Sequence, residues 1–327
     1  MKETVRDVGE FGLISRLCHD FIQRPESVVL GAGDDGAVYR PPPDTDAVIS
    51  TDTMVEGIHF TDKTMAPEDV GWKLCIANFS DMAAMGAEPR ELVVAVSLPP
   101  ALSMEWISRC YDGIREACAA YGVNLLGGDV TGSRQGVVLT GTVVGAVPKG
   151  GAVKRSGARA GDIVFLTDTV GDAAAGLAAI LAGDETAFPE IVKRHRRPTA
   201  AVRAAQILRM AGVHALDDVT DGVASEAHEI AEASGVDLIL EAKDIPVSPE
   251  TKKAAKRYGM TALTYALSGG EDYALLGTMN PAALAGIREK MGIFVIGRVT
   301  EGNGQVFLKE ENHLRLLEKS GYNHFRK

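Results

Sequence analysis

The sequence has no C-x-x-C pair, no apolar run approaching the roughly 18 residues of a membrane span, no excess of positive charge and no G-x-x-x-x-G-K-[ST] loop. Its four cysteines, Cys18, Cys75, Cys110 and Cys118, each stand in an apolar stretch that reads as helix, without the spacing of a zinc or redox site. They read as buried thiols in a reducing compartment. With no apolar span and with charged residues across positions 1–9, neither a membrane partner nor a signal peptide is expected, and the expected location is the cytoplasm. A formal charge of -10 and a pI near 5.3 argue against nucleic acid as a partner, because affinity for that polymer comes from Lys and Arg neutralising phosphates. A phosphorylated small ligand would have to meet this acidic chain through cations.

What is present is a chain of 327 residues, long enough for two domains, with 36 glycines that call for many special turns. Helical spacing predicts an opening amphipathic helix over 10–23, a long helix from Pro67 to about Met85 closed by Gly86, and another over 105–121. Strands are expected at 28–30, 47–52, 92–98, 123–126 and 137–147. Residues 148–161 carry turn signals and little apolar periodicity, so the boundary falls there, giving domains at 1–148 and 149–327. Beyond it the pattern restarts with strands at 163–166, 238–240, 273–278 and 294–299, and helices at 172–181, 199–210 and 223–234. Both halves read as mixed α and β, an α+β class, with no repeat period or low-complexity tract.

The loop Gly31-Ala32-Gly33-Asp34-Asp35-Gly36 matches G-x-G-x-x-G literally and follows a strand, but its context fails. The following Ala-Val-Tyr-Arg-Pro-Pro-Pro cannot form the helix that should face a pyrophosphate, and two carboxylates in the loop would repel one. What recurs instead is a short apolar element that delivers aspartate beside glycine or a hydroxyl residue. The instances are Gly33-Asp34-Asp35, Ser50-Thr51-Asp52, Asn78-Phe79-Ser80-Asp81, Gly127-Gly128-Asp129, Asp217-Asp218-Val219-Thr220-Asp221-Gly222 and Gly269-Gly270-Glu271-Asp272. Oxygen ligands without a cysteine or histidine cluster favour magnesium over zinc. Ser50 and Asp52 share one strand face, and Asn78 and Asp81 share one helical face. Singly, each has a plainer reading: Asp221 as a helix N-cap, Asp34 and Asp35 as turn formers, His59 as a packed side chain, Arg155 as a solvated charge.

Together, in this order, these stretches resemble the thiamine-monophosphate kinase family, within the superfamily that includes aminoimidazole ribonucleotide synthetase and selenophosphate synthetase. The resemblance runs through Gly9-Glu10-Phe11, Gly33-Asp34-Asp35, Ser50 to Thr53 into Glu56-Gly57-Ile58-His59-Phe60, and Ser80-Asp81-Met82-Ala83-Ala84-Met85-Gly86-Ala87. It continues through Gly127-Gly128-Asp129, Arg155-Ser156-Gly157-Ala158, Gly171 to Leu177, Ser268 to Tyr273 and Gly321-Tyr322-Asn323-His324-Phe325, nearly the whole chain. It implies direct transfer of the ATP γ-phosphoryl group to thiamine monophosphate, with ATP as co-substrate and several Mg2+ ions as cofactor. By that resemblance Asp35, Ser50, Thr51, Asp52, Asp81, Asp129, Asp218 and Asp221 would bind magnesium. Tyr111, Gly128, Asp129, Arg155 and Thr220 would lie against ATP, and His59, Glu271 and Tyr322 against thiamine monophosphate. No residue is expected to act as a general base. The family's fold implies a homodimer whose N-terminal domains pair into a β-barrel, with an α+β C-terminal domain closing the site. The chain departs from the family at Thr220, Val130 and the turn 131–136. Two alternatives stand beside this reading: another ATP-dependent member of the superfamily, and a magnesium-nucleotide-binding regulator without turnover.

Overall fold

The computed structural model describes residues 3–17, 21–322 and 325; Cys18, Asn323 and His324, singled out above, lie outside them. The chain divides into two compact units, Met1–Met82 with Glu88–Gly150, and Ala83–Ala87 with Gly151–Lys327.

The first unit contains α1 (Val5–Leu17), β1 (Val28–Leu30), β2 (Val38–Tyr39), β3 (Thr45–Val55), α2 (Pro67–Ala84), β4 (Glu88–Leu98), α3 (Met104–Tyr121), β5 (Asn124–Gly132) and β6 (Val138–Pro148). Its main sheet has the order β3-β6-β4-β5, with β4 and β5 parallel and the other pairs antiparallel. Helix α2 opens on Pro67, with Glu68 and Asp69 in its first turn, the charge sign that a helix N-terminus favours. The Ser103 side chain caps α3 by accepting the Trp106 N–H, and Gly122 ends the helix in the left-handed region. Between these caps Ile107, Cys110, Ile114, Ala117 and Cys118 are buried at spacings of three and four, so amphipathic periodicity places the helix. Cys75, Cys110 and Cys118 are free, buried thiols.

Two expectations are corrected here. The opening helix lies at Val5–Leu17 rather than 10–23, with non-helical Gly9 (φ 70°) inside it. The strand expected to stop at Leu126 continues to Gly132, because a register shift beside Gly127 (φ 136°) carries Gly128 and Asp129 onward as strand rather than loop.

The second unit contains β7 (Ile163–Leu166), α4 (Asp172–Ala182), α5 (Pro189–Arg196), α6 (Val202–Met210), β8 (Ala215–Asp218), α7 (Val223–Ser234), β9 (Val236–Glu241), α8 (Pro249–Arg257), α9 (Ala262–Ser268), β10 (Leu275–Met279), α10 (Leu284–Arg288), β11 (Phe294–Glu301), β12 (Val306–Glu310) and β13 (His313–Leu316). Its sheet has the order β13-β12-β9-β11-β7-β10-β8. The larger core joins Val164, Leu166, Leu238, Leu240, Leu276 and Ile296 of the sheet to Val223, Ala227 and Ile230 of α7. A smaller core gathers Ala175 and Ala179 of α4, Ile191 and Val192 of α5, Phe188 and Ala254. Both units are mixed α and β, as expected, and among the described residues no helix is long and apolar enough to cross a membrane.

Candidate active site

In the first unit the helix-covered face of β3 carries a strongly perturbed carboxylate. Ser50 and Asp52, two apart on the strand, both reach Asp81 on α2: the Ser50 hydroxyl donates to Asp81 Oδ2, and the Asp81 carboxylate lies against that of Asp52. Burial, then the neighbouring Asp81 charge, pushes Asp52 up to about 7. Two half-buried carboxylates facing each other beside a hydroxyl form an arrangement that a hard divalent cation relieves, and the donor set is all oxygen. Among the described residues no three His, Cys, Asp or Glu side chains gather into a cage, so water and phosphate oxygens would have to complete a cation's shell.

Other expected ligands of this unit stand elsewhere. Thr51 points away from α2; its hydroxyl donates to the Gly141 carbonyl (2.8 Å) and lies 3.0 Å from Thr142 Oγ1. Register places Asp52, Gly141, Val94 and Gly128 in one row across the sheet, and Asp129 is one residue beyond. Asp129 is exposed, and its side chain therefore leaves from the face opposite Asp52. Asp35 is exposed in its loop, where its N–H donates to Asp34 Oδ1 (2.9 Å), the turn-forming contact. Tyr111 is 2% exposed on the inner face of α3, so its geometry is that of a core residue and gives no support to a nucleotide contact. His59 accepts the Val55 N–H at Nδ1 (2.9 Å), which fixes the neutral tautomer whose Nε2 carries the proton and can donate to an anion.

In the second unit the expected residues do converge. The β8–α7 turn holds Asp218, Thr220 and Asp221, and two segments lie along it. Glu271 N–H donates to the Thr220 carbonyl (2.8 Å), Tyr273 N–H to the Val219 carbonyl (2.9 Å) and Tyr322 N–H to the Asp221 carbonyl (3.4 Å). A Cβ on Gly270 would fall 2.1 Å from the Thr220 oxygen, so only glycine admits this approach. Glu271 (φ 68°) and Tyr273 (φ 54°) adopt the left-handed region, strain that concentrates at functional turns. Arg155 donates from Nε to Asp217 Oδ2 (2.8 Å), and that buried carboxylate stands at about 6 because burial raises it while Arg155 pulls it back.

Three supporting residues are not among those expected to touch a ligand, although Asp217 and Asp272 lie in the aspartate stretches quoted above. Asp217 orients Arg155. Glu226 accepts the Asp221 N–H (2.9 Å) and is pushed up to about 8 by burial; its place in the first turn of a helix is the signal that would have found it. Asp272 accepts the N–H of Gly171 (2.5 Å) and of Ala173 (3.1 Å), capping α4 from 101 and 99 residues away, and no local pattern signals that.

The chain matches the model for AIR synthase related protein, N-terminal domain, over residues 33–147 and that for the C-terminal domain over 159–309. It is 35% identical to a thiamine-monophosphate kinase of Bacillus subtilis across 98% of this chain and 100% of that protein. The crystal structure of thiamine-monophosphate kinase from Stenotrophomonas maltophilia superposes with a TM-score of 0.81 at 33% identity, covering 94% of this chain and 98% of that one. A further solved structure, AaThiL complexed with AMPPCP and TMP, has a TM-score of 0.78 at 31% identity over 98% of each chain.

Proposed function

The chain belongs to the thiamine-monophosphate kinase family, and we propose that it carries out that reaction, phosphorylating thiamine monophosphate to thiamine diphosphate at the expense of ATP. A phosphate oxygen of thiamine monophosphate bonds to the γ-phosphorus of ATP as the bond to the β–γ bridging oxygen breaks, and ADP leaves with the electron pair. The attacking phosphate has a second pKa of about 6 and is ionised at neutral pH, so no general base is needed. The chemistry therefore reduces to alignment and to relief of charge between two polyanions.

The observation that carries this reading is the Asp52–Asp81 pair with Ser50, two carboxylates held in mutual repulsion as a cation site requires. These residues would hold magnesium, and the family resemblance also assigns magnesium to Asp35, Thr51 and Asp129, and in the second unit to Asp218 and Asp221. Magnesium, when bound, supplies neutralisation of the phosphate oxygens. Gly128 and Asp129 of β5, Tyr111, and Arg155 and Thr220 are assigned to ATP by the family resemblance. His59, through its Nε2 proton, Glu271 and Tyr322 are assigned to thiamine monophosphate, and the C-terminal domain is assigned to closing the site. We further read the chain as a cytoplasmic homodimer whose N-terminal sheets join through β3. That reading is supported by β3 being an 11-residue edge strand, with Ile49 70% exposed beside exposed Thr51 and Thr53.

The test is ADP release from ATP and Mg2+ with thiamine monophosphate, thiamine or an aminoimidazole-pathway intermediate as acceptor. Release that requires both Mg2+ and the monophosphate supports the assignment. Release with a different acceptor moves the chain to another reaction of the superfamily, and binding of nucleotide without release overturns the enzyme reading.

A further inference from the structure

Helix α5 was not foreseen, and one residue on it serves no packing purpose that an aliphatic side chain would not serve better. Its buried face consists of Ile191, Val192 and His195. His195 is 1% exposed, and burial of an imidazole among apolar groups is unfavourable unless it meets a polar partner. Its Nδ1 lies 3.6 Å from Glu271 Oε2, within ion-pair reach and longer than a direct hydrogen bond. The Glu271 side chain is 31% exposed, so one flank of the carboxylate meets His195 while another remains open to a ligand.

The two residues are held rigidly from different directions. Helix α5 sits so close to α4 that a Cβ on Gly176 would fall 2.1 Å from the Ile191 oxygen and 3.1 Å from His195 Cβ. Arg194, next to His195, is turned away toward Asp168 (2.6 Å) and feels Asp172 and Asp272 as further negative neighbours. Glu271 is pinned at its backbone by the Thr220 carbonyl and strained at φ 68°. A backbone held in that conformation fixes where the side chain starts, and the imidazole fixes where it ends.

We propose that His195 is a positioning residue for the phosphate-ester acceptor, holding the Glu271 carboxylate of the strained 269–273 turn in the orientation that receives substrate. This rests on the reading of Glu271 as an acceptor contact. A carboxylate on a long side chain has several rotamers, and fixing one before the ligand arrives removes an ordering penalty from binding. The effect therefore falls on KM for thiamine monophosphate and leaves KM for ATP alone.

The experiment is steady-state kinetics with each substrate varied, on Glu271→Gln, His195→Leu, His195→Gln and the double variant His195→Leu/Glu271→Gln, with thermal melting as a control. His195→Met serves as the second apolar variant if His195→Leu is insoluble. The expected result is a rise of about tenfold in KM for thiamine monophosphate with either apolar variant, the size of losing one polar partner of a charged group. KM for ATP stays within about twofold, the Gln side chain restores most of the loss, and His195→Leu adds nothing once Glu271 is Gln. A rise in Glu271→Gln with no change in the His195 variants would overturn the proposal alone, as would equal rises in both KM values or additive effects in the double variant. A wild-type KM in Glu271→Gln would overturn the acceptor role of Glu271 and the proposal with it.

Discussion

Replacing Asp272 by alanine should loosen the second unit by about 2–3 kcal/mol, because two N–H groups at the start of α4 then lose their acceptor. Residue Gly171 at the N-cap position has no side chain to offer, and the carboxylate of Asp272 stands in for it at 2.5 Å from the Gly171 nitrogen and 3.1 Å from that of Ala173. Gly171 and Ala173 are buried, so each orphaned N–H costs about 1–1.5 kcal/mol, within the usual range for an unsatisfied donor. For a unit of this size the loss corresponds to a Tm lower by roughly 5–10 °C. Asp272→Asn keeps one acceptor for the two N–H groups, which predicts a loss of about 1 kcal/mol at about pH 5.

The pH dependence separates this account from a general packing defect. Burial raises Asp272 from 3.8 to about 7, against the pull of the Gly171 and Ala173 N–H groups. The folded state then holds a proton more tightly than the unfolded state. The resulting stabilisation is full below 3.8 and is lost as pH rises through about 7. Asparagine does not titrate, so the stability deficit of Asp272→Asn should shrink between about pH 5 and pH 7 and stay constant above. Differential scanning calorimetry of the two proteins across that range is the assay. Asp272→Ala melting with wild type would refute the capping role, and a deficit that does not change with pH would refute the upward shift that burial imposes on Asp272.

Asp81→Asn should reduce thiamine diphosphate formation by at least about 100-fold in a magnesium-dependent assay. Its metal-free Tm should not fall, since the substitution removes a charge that opposes Asp52; a lower Tm with intact activity would contradict the pair's assignment. Gly270→Ala places a Cβ against the Thr220 oxygen and should impair use of both substrates while lowering Tm by several degrees, roughly 1–3 kcal/mol of strain, readable by kinetics and melting together. Ile49→Glu on the exposed edge strand should shift sedimentation from dimer to monomer, and an unchanged sedimentation coefficient would remove β3 from the interface.

Much of this architecture is legible where the chain writes its own periodicity and caps. Helix α3 carries Ser103, Gly122 and an apolar stripe between them, so its limits follow from local chemistry. The same holds in part for Ser50 and Asp52, which strand alternation puts on one face; the fold then brings that face to Asp81. Helix α5 was not legible, because Pro-Glu-Ile-Val-Lys-Arg-His-Arg is mostly charged and only packing against α4 and α8 holds it. The end of β5 is not legible because Gly127-Gly128-Asp129 has loop composition, and the bulge that keeps it in the sheet depends on β4. Asp272, Glu226 and His195 act through partners whose proximity is a property of the folded chain, and a single sequence does not encode that proximity in any window.

The central claim is that the chain moves a phosphoryl group onto an existing phosphate. Purified protein should be given ATP, Mg2+ and thiamine monophosphate, and the mixture resolved by chromatography for thiamine diphosphate and ADP. The account predicts the two products in equal amounts, absent when Mg2+ is chelated. ADP formed without thiamine diphosphate, or neither product at saturating substrates, would contradict it.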